Sequence, residues 1–265
     1  MRRGSIHLFL ILIVATASAL SAQVQSTQAP EGAATGQAAP QTSTQVPQPT
    51  PPSPIQPTIT PQNTLAVVVV DPAHGGADPG AHGSTGIMES DVVLSFARLL
   101  RISLEAQGLR VILTRQANED PSFDDRSRSA NAQRGTIFIT LHVSSTGQPG
   151  TVRVYSLSQE AASAATLRTG LVRWEHAQSN FISQSRRLAE LIQIQMALRF
   201  RGSPEVPLTA PVRQLRTVAA PAVAVEVSSV SLPDRGPLDQ MGPGLADGVA
   251  RAVAAFRTIY ESGGK

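Results

Sequence analysis

Cysteine is absent from the 265 residues. That excludes a disulfide framework and any thiolate-bound zinc, so a metal held by this chain must sit among imidazoles and carboxylates. Aromatic residues make up only 4% of the chain, and lysine occurs once, as Lys265. The formal net charge is +3, and the arginines are scattered, with no block of like charge. Few rings to stack bases and no basic stripe argue against nucleic acid as a partner. The sequence pI of 10.1 reflects arginine used in place of lysine. No Gly-x-Ser-x-Gly elbow, Walker loop or dinucleotide fingerprint occurs, which removes serine-hydrolase and nucleotide-binding readings. No apolar run reaches the about 20 residues that a membrane span requires.

What is present begins with a short basic segment, Arg2-Arg3. An apolar stretch from Leu8 to Ala15 follows, then small residues at Ala17-Ser18-Ala19 and Ala22. This is the grammar of a secretory signal, predicted over residues 1–22 with cleavage after Ala19 or Ala22. It implies an exported protein, in the periplasm, cell envelope or extracellular space, with no membrane attachment once the signal is removed. Residues 23–63 are rich in Gln, Pro, Ser and Thr, with Glu31 their one charge. With so little to bury, this stretch reads as a disordered tether. Residues 64–262 read as one folded domain.

Within that domain, Val67 to Val70 is a β-branched run typical of a strand covered on both faces. It stops at Asp71-Pro72, because proline cannot donate to a ladder. Apolar residues at Val92, Val93, Phe96, Leu99, Leu100 and Leu104 recur at helical spacing over Asp91–Gln107, with Gly108 at the C′ position. Further strands are predicted at Leu109–Thr114, Thr136–Leu141, Gly150–Leu157 and Ala222–Val227. Further helices are predicted at Ser127–Gln133, Gln184–Arg199 and Gly244–Tyr260. The alternation predicts an α/β fold, a single domain with a twisted, mostly parallel or mixed sheet of about six strands flanked by helices on both faces.

Four residues stand where such a fold concentrates chemistry. His74 and His142 each follow an apolar strand, and Glu226 lies near the end of one. Glu89 arrives from the glycine-rich loop after the first strand. Ligand sites of open α/β sheets lie at the carboxyl ends of the strands, so these side chains can converge. Two histidines and one carboxylate with a fourth position open make a catalytic zinc shell, and a second carboxylate beside the zinc-bound water can take its proton. Each residue also has a bland reading. His74 could be a turn residue, His142 a satisfied core histidine, and Glu89 a first-turn acid favoured by the helix dipole. A carboxylate within Ala-Val-Ala-Val-Glu-Val loses its water at a cost of several kcal/mol, so Glu226 is expected to be functional or ion-paired, with Arg126 or Arg216 as the natural partners. His82 shares the loop of His74 and could approach the site. His176, in a polar stretch beside Trp174, is expected to face solvent.

Taken together, these motifs resemble, in order, those of the zinc-dependent N-acetylmuramoyl-L-alanine amidases of bacterial cell-wall remodelling. Asp71-Pro72-Ala73-His74-Gly75-Gly76 with Asp78-Pro79-Gly80-Ala81 resembles the opening motif, and Met88-Glu89-Ser90-Asp91-Val92 the second. Ile137 to His142 resembles the third, and Pro221 to Glu226 the strand that carries the catalytic acid. Leu113-Thr114-Arg115 and Arg126-x-x-x-Ala130-Asn131 match landmarks of structural character. The resemblance implies Zn2+ on His74, Glu89 and His142, Glu226 as general base and then acid, and peptidoglycan as the substrate. It also implies a variable insertion at Ser158–Phe181 that plugs the site in some relatives, and it leaves room for a protein activator. Departures are Ala73 for Gly, Ser90 for Lys, Val143-Ser144 for Ala-Asn, and Val227-Ser228-Ser229-Val230 in place of a Gly-Phe run; none touches the four key positions. A catalytically silent peptidoglycan-binding module and a zinc peptidase acting on the stem peptide remain as alternatives.

Overall fold

A computed structural model describes residues 64–159 and 172–263. The expected signal, 1–22, the expected tether, 23–63, and residues 160–171 of the expected insertion lie outside the described residues. Six strands form one mixed sheet: β1 (Val67–Pro72), β2 (Arg110–Leu113), β3 (Thr136–Ser144), β4 (Val152–Leu157), β5 (Leu208–Ala210) and β6 (Ala222–Ser228). Their order is β2-β1-β3-β6-β4-β5. The β1–β2, β1–β3, β3–β6 and β4–β5 pairs are parallel, and β4 runs antiparallel to β6.

Side chains alternate across this sheet. Val68, Val70, Ile137, Ile139, Leu141, Val223, Val225 and Val227 point to one face and form the larger core. Three long helices cover that face: α1 (Glu89–Glu105), α3 (Ile182–Arg199) and α5 (Gly236–Glu261). Val67, Val69, Phe138, Ala222 and Ala224 point the other way into a smaller core. This second face is covered near its N-terminal end by the short helices α2 (Phe123–Asn131) and α4 (Arg213–Arg216), next to a 3-10 helix at Trp174–Phe181. Toward the C-terminal end the apolar residues of this face give way to Asp71, Thr140, His142 and Glu226, and the sheet opens to solvent.

Most element positions follow from the hydrophobic spacing. Two differ instructively. Helix α2 begins at Phe123 rather than Ser127, because the Ser122 hydroxyl accepts the Asp125 N–H and caps it early. Helix α5 begins at Gly236, eight residues before the expected start at Gly244. Pro237 and Pro243 read as breakers in the sequence, yet Pro237 occupies the first turn, where its missing N–H costs nothing, and Pro243 is carried inside the helix. Packing favours this: a Cβ at Gly242 would meet Leu99 Cδ1 at 2.7 Å, so glycine lets α5 lie close against α1 without displacing that side chain.

The turn after β1 is held by a buried arginine. Arg115, 3% exposed, donates to the carbonyls of Pro72, Ala73, Ser90 and Ala117 at 2.8–2.9 Å. One planar cation thereby satisfies carbonyls from three separate segments. Replacing it by methionine strands those acceptors, so Arg115→Met is expected to lower stability by about 3 kcal/mol or more. Urea denaturation checks this, with Arg101→Met on the exposed face of α1 as a control that shifts the midpoint little.

Candidate metal centre

The chain leaves β1 through Ala73 into a loop that has to reverse sharply. His74 adopts φ 60°, a left-handed conformation uncommon for a residue with a Cβ. Arg126 pins this stretch from beneath. It donates to Asp71 Oδ1 at 2.7 Å and to the carbonyls of Pro72 and His74 at 3.0 and 2.9 Å. The backbone of His74 is therefore fixed on both sides, and its ring is directed over the sheet edge.

Glu89 is the first residue of α1 and is 4% exposed, which removes the reading of it as a solvated first-turn acid. Its carboxylate is held by two amides from different segments: Ala81 N donates to Oε2 at 2.8 Å and Val143 N to Oε1 at 3.0 Å. Each oxygen also faces an imidazole, with His74 Nε2 3.3 Å from Oε2 and His142 Nδ1 3.0 Å from Oε1. One ligand atom from each of His74, Glu89 and His142 lies within 4.8 Å of the others. Donor atoms bonded at about 2.0–2.2 Å in a tetrahedral shell lie about 3.3–3.6 Å apart, so a small inward shift from the 4.8 Å bound would close the group on a single divalent ion.

The outer partners of the two rings set which nitrogens are free. His74 Nδ1 donates to Asp78 Oδ2 at 2.7 Å, which leaves Nε2 toward the centre. The Thr140 hydroxyl donates its one proton to Asp71 Oδ2 at 2.9 Å, so its 3.3 Å contact with His142 Nε2 must be an N–H from the ring. His142 Nδ1 is then a lone pair facing the Glu89 carboxylate, and two acceptors 3.0 Å apart need a cation or a shared proton between them. Carboxylate and hydroxyl partners of this kind orient metal-bound imidazoles. The centre tolerates no added bulk: a Cβ at Gly80 would lie 2.6 Å from both Glu89 Oε2 and His74 Cδ2.

Glu226 lies one strand away on the same face. In the parallel β3–β6 register it is paired with His142, and in the antiparallel β4–β6 register with Arg153. Adjacent strands are about 4.8 Å apart, so Glu226 stands between an imidazole and a guanidinium. Its surroundings differ from the expectation in two ways. The side chain is 27% exposed, so it retains part of its water at the open end of the sheet. Its ion pair is with Arg153, Nη1 to Oε1 at 3.5 Å, and the Tyr155 hydroxyl donates to the same oxygen at 3.2 Å. Arg126 is taken by Asp71 instead. Arg153 and Tyr155 were hidden in the sequence within the wet face of an alternating strand, and only register brings them to Glu226.

Among the described residues the other two histidines lie outside this group. His82 is exposed, in an isolated bridge to Met88, and lies outside the group. His176 is half-buried rather than solvent-facing, because the 3-10 helix packs its ring inward and seals Nδ1. His142 lies inside β3, which runs two residues beyond it, and this extension is what brings Val143 N to Glu89.

Comparison with known proteins identifies the family. Residues 68–238 match the family described as N-acetylmuramoyl-L-alanine amidase. The chain is 34% identical over 104 residues to the amidase AmiC of Neisseria meningitidis, a match covering 38% of this chain and 25% of that protein. It is 38% identical over 88 residues to the sporulation-specific N-acetylmuramoyl-L-alanine amidase of Bacillus subtilis, covering 32% of this chain and 34% of that one. The matched stretch thus spans about a quarter to a third of these curated relatives. Among solved structures, the amidase AmiC2 of Nostoc punctiforme aligns with a TM-score of 0.57 at 23% identity, covering 72% of this chain and 96% of that one. The CwlD amidase of Clostridioides difficile, solved in complex with the GerS lipoprotein, aligns with a TM-score of 0.52 at 17% identity, covering 72% and 99%. These structural likenesses show the fold.

The charges of the centre give a pH signature in chelator-treated protein. The hydrogen bond that His74 donates to Glu89 raises it from 6.5 to about 9, against the opposing effect of burial. For Glu89, burial pushes upward, but the contacts with His142 and His74 outweigh it and hold the acid at about 2. His74 therefore adds stability that is complete below pH 6.5 and lost as pH rises through about 9, whereas Glu89 adds stability present above 4.5 and lost as pH falls through about 2. Calorimetry in chelator should show the melting temperature of the wild type falling between pH 6.5 and 9 more steeply than that of His74→Gln; parallel curves would remove the pairing. At any one pH, Gly80→Ala should cost about 10- to 100-fold in zinc affinity by competition with a chromogenic chelator, because the added methyl crowds two ligands at once.

Proposed function

The chain belongs to the N-acetylmuramoyl-L-alanine amidase family, and on that premise we propose that it is an exported zinc hydrolase of peptidoglycan. The bond it cuts is the amide between the lactyl group of N-acetylmuramic acid and the L-alanine that opens the stem peptide. The observation that carries this reading is the gathering of His74, Glu89 and His142 within 4.8 Å, with Glu226 in register beside His142 on the same face of the sheet. His74 would hold the ion through Nε2, His142 through Nδ1 and Glu89 through a carboxylate oxygen. Zinc rather than a harder ion is favoured by two imidazoles and one carboxylate with room for a further ligand. When bound, the ion supplies Lewis acidity, which brings a water near neutral pKa and stabilises negative charge on the substrate carbonyl oxygen.

The protein's own part is proton management. Arg153 and Tyr155 both engage Oε1 of Glu226, which leaves Oε2 free to take a proton from the attacking water. As the carbon–nitrogen bond breaks, the same oxygen returns that proton to the departing amine of L-alanine. The products are a lactyl carboxylate and a peptide with a free L-alanine terminus. Asp78 and the Thr140–Asp71 pair keep both rings in the tautomer that ligation needs.

Glu226→Gln should retain stoichiometric zinc while the turnover of purified sacculi falls about 100- to 10,000-fold, the range for removal of a general acid–base. Wild-type turnover in that variant would take Glu226 out of the reaction. Mass analysis of the wild-type digest should show fragments opening at L-alanine, absent after chelation and restored by zinc; fragments opening at a later residue would replace the amidase with a stem peptidase.

A further inference from the structure

The metal centre opens into a cavity of about 530 Å³ whose far wall is formed by Phe123, Val212, Arg213 and Gln214. This wall has three unusual properties. Phe123 is 47% exposed, and Arg213, also exposed, lies with its guanidinium carbon 4.4 Å above the ring centre. Among the described residues no carboxylate pairs with Arg213, although Arg126, the other arginine of the cavity, is fully engaged by Asp71, Asp120 and backbone carbonyls. Gln214, 4% exposed, has an Oε1 with no hydrogen-bond partner, and its Nε2 reaches the Phe123 carbonyl only at 3.5 Å. The wall therefore presents a cation already oriented by an aromatic face, beside an amide with unused bonding capacity that can turn toward an arriving group.

The acids of the cavity do not oppose an anion there. Asp71 is paired with Arg126, Asp78 is turned to His74 Nδ1 at 2.7 Å, and Asp120 lies within 3.6 Å of Arg126 on the side of the β1 loop. A compact volume of 530 Å³ is about 8 Å across, its cube root. Two extended residues span about 7 Å. A stem peptide with its first amide at the metal centre thus has its second residue within reach of the Phe123–Arg213 wall of the same cavity. That residue is a γ-linked D-glutamate, whose α-carboxyl group is either free or amidated in different walls.

We propose that Arg213, oriented on Phe123 and assisted by Gln214, is a specificity residue that receives the free α-carboxylate of the second stem residue, so that the protein prefers stems in which this group is not amidated. The proposal rests on the amidase reading above. A guanidinium held over a ring has already lost much of its rotamer freedom, so a carboxylate can bind it in the two-pronged geometry at reduced entropic cost.

The test uses two muramoyl tripeptides identical except that the D-glutamate α-carboxyl is free in one and a carboxamide in the other. The wild type should cleave the free acid with kcat/KM about tenfold higher, a charge-assisted contact against a neutral one. In Arg213→Gln the free acid should fall to the level of the amide through a raised KM, with the amide substrate unchanged, and Arg213→Lys should keep part of the preference. Equal cleavage of both substrates by the wild type, or an equal loss on both in Arg213→Gln, overturns the assignment of Arg213 while leaving the amidase intact. Absence of any released L-alanine terminus from either substrate overturns the amidase reading and this proposal with it.

Discussion

A single buried carboxylate sets the geometry of the whole site. Glu89 is withdrawn from water at the head of a long helix and can be accommodated only if its charge is answered locally. Two backbone amides, from the loop after β1 and from the end of β3, answer part of it and fix its position. The remaining demand falls on the two imidazoles, and the oxygens are so placed that each looks at one ring. The loop, the strand end and the helix start are therefore mutually dependent: moving any one unpairs a charge that the others have closed around.

Around that anion the protein spends its arginines on carbonyls rather than on the surface. Arg115 and Arg126 together bind the backbone from Pro72, the last residue of β1, to His74, where the chain leaves the strand through a residue in the left-handed region. An irregular loop has no ladder of its own to satisfy its polar groups, so charged side chains are recruited to do so. This accounts for two nearly buried cations in a protein with a modest net charge. It also ties metal-site geometry to global stability, because the same bonds serve both.

How much of this was legible beforehand depended on the kind of signal. β1, β3 and β6 announce themselves as largely apolar runs because both faces of the sheet are covered along most of their length, and α1 through its apolar spacing. His74, His142 and Glu226 stand at the ends of such runs, so strand topology alone nominated them. Glu89 was nominated with them from the glycine-rich loop, though a first-turn acid was its plainer reading, and its burial against the loop and the end of β3 is what the structure adds. Arg153 and Tyr155 carried no local mark, since their contact with Glu226 arises from an antiparallel pairing between segments about seventy residues apart. For the same reason the sequence nominated Arg126 and Arg216 as partners of Glu226: charge can be counted along a chain, but register cannot. The three-residue β5 and the four-residue α4 are too short to show a period, yet α4 supplies a wall of the cavity.

The register of the central strands has one more consequence. The groups that would grip an ion come from the loop after β1, from α1 and from β3, while the acid that would shuttle protons and its two anchors come from β6 and β4. Holding and reacting are thus assigned to opposite sides of one seam, the ladder between β3 and β6. Such a division lets inheritance edit one side without erasing the other: a descendant could lose its chemistry and persist as a loaded but inert binder, or change its basicity while its grip is untouched.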